Sequence, residues 1–130
     1  MPGNPLNREE ILALTAAAIP LVEGHIDLGS HVQPNGLDLT LKEVARFLSP
    51  GQLGASDADR VLSDIEPLAF DASGWLELSA GAYLITYNEV VNLPTDLMAL
   101  GRPRSSLLRS GVSVHTAVWM RDTGGGPSRC

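Results

Sequence analysis

The segment Arg102-Pro103-Arg104-Ser105-Ser106-Leu107-Leu108-Arg109 places three guanidinium groups within eight residues. The 130-residue chain around it is acidic, with nine basic and fifteen acidic side chains and a formal charge of −6. Guanidinium forks bind phosphate oxygens in pairs, and nearby hydroxyls and backbone N–H groups can complete the cradle. A solvated basic turn is the competing reading. The apolar pair Leu107-Leu108 points to partial inward packing, which would hold the arginines in place. A second segment, Gln33-Pro34-Asn35-Gly36-Leu37-Asp38-Leu39, carries Asp38 on the face opposite Leu37, Leu39 and Leu41. Asp38 could assist a metal, orient an arginine or simply stand exposed on a strand.

Other chemistry finds less support. His25, His31 and His115 have no metal-ligand spacing, and no HExxH or paired-Cys pattern accompanies them. His115 follows Val112-Ser113-Val114 in an alternating run, where a hydrogen-bonded structural histidine is the favoured reading. The single cysteine, Cys130, excludes an internal disulfide framework or a multi-Cys zinc site, and no base stands near it for nucleophilic catalysis. Neither GxGxxG nor a P-loop is present.

The elements that must position these segments are mostly strands. Residues 8–18 read as a short helix capped by Asn7, with Glu10 at the capping-box position and Ile11, Leu14 and Ala18 on one face. Pro34-Asn35-Gly36 supplies a turn, and Leu37 to Lys42 alternates as a half-buried strand does. Residues 49–73 read as loop, with a helical turn over 57–62. Strands are predicted at 75–78, 83–91 and 112–119, separated by Gly81, Asn92-Leu93-Pro94 and Gly101-Arg102-Pro103. A hydrophobic fraction of 44% can form a core, although only six aromatics contribute to it. Length and pattern predict one compact, mainly β domain.

The acidic balance argues against nucleic-acid binding through a basic face. No apolar run approaches a membrane span of about 20 residues, and no signal peptide is visible, so a soluble cytoplasmic protein is expected. Basic usage is lopsided, eight arginines to one lysine, as a GC-rich genome would produce.

Both chemistry-bearing segments resemble signatures of the dUTPase and dCTP deaminase superfamily. Gln33 to Leu41 is similar to its first signature, and Pro103 to Gly111 to its phosphate-binding signature. Gly81-Ala82-Tyr83, Tyr87-Asn88-Glu89-Val90-Val91, Leu93-Pro94 and Val114 to Trp119 resemble the archaeal-type dUTPase branch. The likeness covers roughly residues 7–119. It implies a distorted jelly-roll-like β fold of the β-clip type, a homotrimer with shared active sites, magnesium on the triphosphate with no direct protein ligand, and hydrolysis of dUTP to dUMP and pyrophosphate. By position it implies that Arg104, Ser105 and Ser106 hold phosphates. Arg109 would match an arginine important in the deaminase branch, and Asp38 would be a supporting acid. His115, Thr116 and Ala117 would lie against the nucleoside. Deamination of dCTP is the alternative reaction, and a non-catalytic nucleotide-binding remnant is a third reading.

The pattern breaks after Trp119. The family implies an aspartate at the next position to activate the attacking water; here stands Met120, whose thioether cannot accept a proton. Asp122 lies two positions later in a Gly-rich stretch. With GC-rich codons, one added base after Trp119 would read Trp-Asp-Ala-Gly-Tyr, so a frameshift is the expected origin of residues 120–130. On this reading residues 1–119 are an incomplete dUTPase-like domain, lacking its last strands and C-terminal arm. The remainder is a tail without fixed structure, and sheet edges are left uncovered.

Overall fold

The computed structural model describes residues 3–121. In chain order its elements are α1 (Arg8–Thr15), β1 (Val22–Glu23), α2 (Leu28–His31), β2 (Val32–Gln33), β3 (Gly36–Leu37), β4 (Leu41–Phe47), a 3-10 turn (Asp57–Asp59), β5 (Ile65–Pro67), β6 (Tyr83–Tyr87), β7 (Val90–Val91), β8 (Met98–Ala99), α3 (Ser105–Arg109) and β9 (Trp119–Met120). The fold is mainly β. The chain divides into two units, one joining the residues up to Leu39 with those from Glu89, the other spanning Thr40–Asn88.

In the first unit α1 begins where the sequence demands. The Asn7 side chain accepts the Glu10 N–H at 3.0 Å, and Glu10 Oε2 accepts the Asn7 N–H at 2.8 Å. This reciprocal cap satisfies two donors that a helix start otherwise strands. The helix ends at Thr15 rather than Ala18 because the Leu14 carbonyl turns to the Leu21 N–H at 3.0 Å. Ile11 and Thr15 are buried, and Ala18 is exposed. Arg8 then ties the helix to the next segment, donating to the carbonyls of Val32 and, at 2.9 Å, Gly29. β2 and β3 form the hairpin expected around Pro34-Asn35, with Val32 opposite Leu37. β1 pairs with β7 and β8 with β9, both antiparallel. Ile11, Leu21, Val22, Val32, Val91, Leu93 and Trp119 form the core of this unit.

The second unit is an antiparallel sheet in the order β5-β4-β6. Ala45 lies between Leu84 and Pro67, and Phe47 lies opposite Ile65. Arg46 and Glu66 form an ion pair across β4 and β5. Val44 and Ala45 are its only buried hydrophobic residues. Because side chains alternate, Ala45, Phe47, Ile65 and Leu84 share one face. Phe47, Ile65 and Leu84 there remain 45%, 44% and 40% exposed. This face has too little cover of its own to close a core.

Several expected strands are shorter than their patterns. Leu37 to Lys42 is split: Leu37 belongs to the β2–β3 hairpin, residues 38–40 leave the ladder, and Leu41 opens β4. The 83–91 run breaks at Asn88, whose side chain donates to Thr40 Oγ1 at 2.9 Å and the Leu41 carbonyl at 3.2 Å. Residues 75–78 form no strand, because Asp71 Oδ1 captures the N–H groups of Ser73 (2.8 Å) and Trp75 (2.9 Å) in a loop turned by Gly74 at φ +80°. Of 112–119, Trp119 alone finds a strand partner, opposite Ala99. The 49–73 loop contains the expected turn at Asp57–Asp59 and also β5. Asp122 and the rest of residues 122–130 lie outside the described residues.

Candidate functional site

Every site residue singled out in the sequence and described here falls in the first unit. Asp38 is placed by the hairpin. Its N–H donates to the His31 carbonyl at 2.9 Å, just beyond the Val32–Leu37 pair that ends the β2–β3 ladder. That carbonyl ends α2, whose start is capped by Asp27. The Ser30 hydroxyl donates to Asp27 Oδ2 at 2.6 Å and the Ser30 N–H to Oδ1 at 3.2 Å. These bonds, the hydroxyl first, hold the Asp27 carboxyl below its ordinary value of 3.8.

Asp38 forms an ion pair with an arginine. Its Oδ2 accepts Gln33 Nε2 at 3.1 Å and stands 3.6 Å from Arg104 Nη1. The Asp38 side chain is 22% exposed and that of Arg104 69%, so the acid is anchored and the guanidinium reaches out from it. Arg104 immediately precedes α3, and its carbonyl accepts the Leu107 N–H at 3.0 Å. At the other end Ser110 Oγ donates to the Ser106 carbonyl at 2.9 Å, and Gly111 turns the chain away at φ +76°. Ser105 and Ser106 occupy the first turn, where backbone N–H groups have no partner within the helix.

The guanidinium groups of Arg102 and Arg109 make no hydrogen bond or ion pair among the described residues. Among the described residues only Arg104 of the three meets a carboxylate, so the segment carries an excess of positive charge on an otherwise acidic chain. Leu107 and Leu108 do not pack inward as expected; they are 38% and 55% exposed. A five-residue helix has barely more than one turn, and this one lies with both leucines turned outward.

Residues 112–118 belong to no strand or helix. His115 is exposed and makes no hydrogen bond among the described residues, which overturns its reading as a bonded structural histidine. Thr116 is half-buried against Gly101. No hydrogen bond or ion pair joins Ser105, Arg109, His115 or Ala117 to the Asp38–Arg104 pair among the described residues. Met120 is exposed on β9 opposite Met98.

Sequence reasoning missed two supports and a buried acid. Gln33 bonds Asp38, and Arg8 fixes the segment before it. The Pro34-Asn35 turn was the available signal for Gln33, since a tight hairpin brings the residues flanking its turn together. Glu89, between β6 and β7, is a buried carboxylate that was given no role. A hollow of about 420 Å³ beside α1 includes Leu6, Glu10 and Asp96 and lacks any basic residue. It has no residue in common with the arginine segment, and its charge suits a phosphate poorly.

The dCTP deaminase-like family model matches residues 6–128. The "Probable deoxyuridine 5'-triphosphate nucleotidohydrolase" of Methanococcoides burtonii is 42% identical over 126 residues, covering 96% of this chain and 73% of the relative. The protein of the same name from Methanosarcina mazei is 41% identical over 114 residues, 88% of this chain and 67% of the relative. The one from Archaeoglobus fulgidus is 41% identical over 99 residues, 76% and 58% respectively. No solved structure matches the chain significantly. With most of its length matched, and with relatives about two-fifths identical over the matched span, the chain belongs to the dCTP deaminase-like family.

Proposed function

We propose that this chain is a dUTP nucleotidohydrolase-type protein whose Arg104 segment grips the triphosphate of dUTP. The observation that carries this reading is the Asp38–Arg104 pair in a segment with two serines and two further arginines that have no partner among the described residues. A triphosphate needs fixed positive charge and donors, and guanidinium groups supply both in bidentate form. Arg104, Ser105 and Ser106 hold phosphate oxygens, with Arg109 at the far end of α3. Asp38 keeps Arg104 from collapsing elsewhere. His115, Thr116 and Ala117 face the deoxynucleoside. The names of the archaeal relatives favour dUTP over dCTP as substrate.

Magnesium would arrive on the triphosphate. No three His, Cys, Asp or Glu side chains converge among the described residues. Asp38 Oδ2 is already engaged by Gln33 and Arg104.

Hydrolysis to dUMP and pyrophosphate also requires a group that takes the proton of the attacking water. Met120, at the position where the resemblance implies that group, offers none. Binding without appreciable turnover is therefore the expected behaviour of this chain. The reading extends to a homotrimer of jelly-roll protomers, in which a neighbouring chain covers the exposed face of Phe47, Ile65 and Leu84. No helix among the described residues is long and apolar enough to cross a membrane.

Isothermal titration of the 130-residue chain with the non-hydrolysable analogue α,β-imido-dUTP, with magnesium present, tests the proposal. Saturable binding, stronger for dUTP than for dCTP analogues, is expected. Absence of binding would overturn it.

A further inference from the structure

Gly101 begins the stretch that leads into the arginine segment, two residues beyond β8. The β8–β9 pairing sets Ala99 opposite Trp119, so the chain ahead of Gly101 runs beside the chain that carries Thr116. A side chain cannot fit there. A Cβ added to Gly101 would lie 2.7 Å from Thr116 Oγ1, 2.9 Å from its Cγ2 and 3.3 Å from its Cβ. Rotating Thr116 does not relieve the clash. Two of the three staggered positions on its Cβ face Gly101, and a β-branched residue fills two of the three in every rotamer. At least one crowded position is therefore always occupied. Only displacement of one chain relative to the other makes room.

We infer that Gly101 is a positioning residue for specificity. Its missing side chain fixes the offset between the phosphate-gripping segment at Arg104–Arg109 and the nucleoside-facing segment at Thr116. This rests on the nucleotide reading above. A ligand held at both ends is sensitive to that offset, whereas a ligand that occupies the phosphate site alone is not. The gap is a close approach of the kind that glycine permits.

The test compares two probes, α,β-imido-dUTP and inorganic tripolyphosphate, by titration against the wild type, Gly101→Ala, Thr116→Ala and the double variant. Gly101→Ala is expected to weaken imido-dUTP binding by at least about tenfold while tripolyphosphate affinity stays within about twofold. In the double variant Thr116→Ala removes the clashing atoms, so nucleotide affinity returns to that of Thr116→Ala alone, a non-additive cycle. Unchanged nucleotide binding by Gly101→Ala would overturn the inference. So would an equal loss for both probes, or additive effects in the cycle. A wild-type chain that binds neither probe would instead overturn the nucleotide reading. In that case the cycle read in melting temperature still reports on the Gly101–Thr116 contact.

Discussion

Arg104 Nη1 lies 3.6 Å from Asp38 Oδ2, joining the residue that introduces α3 to the residue that leaves the β2–β3 hairpin. Sixty-six positions separate them in the chain, and they carry the two signatures from which a nucleotide site is inferred. The pair is worth little as a stabilising contact, because Arg104 is mostly in water. Its value is positional: a half-buried acid, steadied by Gln33, aims a guanidinium outward.

The missing base makes a gain-of-function prediction. Met120→Asp places a carboxylate on β9 at the position where the resemblance implies the proton acceptor. Pyrophosphate release from dUTP should rise by about a hundredfold over the wild type, the low end of what a positioned base contributes. Equal rates, with nucleotide binding intact, would show that the water is activated elsewhere.

Assembly should depend on the uncovered sheet face. Phe47→Glu puts a charge among Ala45, Ile65 and Leu84, where burial against another chain would then be costly. Sedimentation equilibrium should give a three-chain species for the wild type and smaller species for the variant. A three-chain species for both would remove this face from the interface.

The Asp27 cap predicts a direction with pH. Its folded value lies below the ordinary 3.8, chiefly through the Ser30 hydroxyl. Stabilisation from the carboxylate is therefore present above 3.8 and lost as pH falls through the lower folded value. Ser30→Ala should melt below the wild type at neutral pH, and the gap should close in strong acid. A gap that is constant over the whole range would contradict this.

Local signals in the sequence were legible where the chain satisfies its own backbone. Asn7 and Glu10 announce α1, and Pro34-Asn35 announces the hairpin, because those bonds form between near neighbours. Alternation was a poorer guide. Val112 to Trp119 and Trp75 to Leu78 have the period of a strand, yet only Trp119 gains a ladder partner. A strand needs a second strand, and the pattern of one segment does not reveal it. The site was legible as two motifs through resemblance. What escaped was the link between them: Gln33 steadying Asp38, and the absence of room at Gly101. Both depend on which segments meet, a property of the folded chain. The inward packing expected of Leu107 and Leu108 failed as well: in a helix of five residues, none of them buried, both leucines stay exposed.

The central claim is that the arginine segment grips a nucleotide triphosphate through Arg104, and titration of Arg104→Ala with α,β-imido-dUTP tests it most directly. Loss of a charge-assisted bond should weaken affinity by at least about tenfold, with the circular dichroism spectrum and melting temperature close to those of the wild type. Unchanged affinity in the variant would contradict the account.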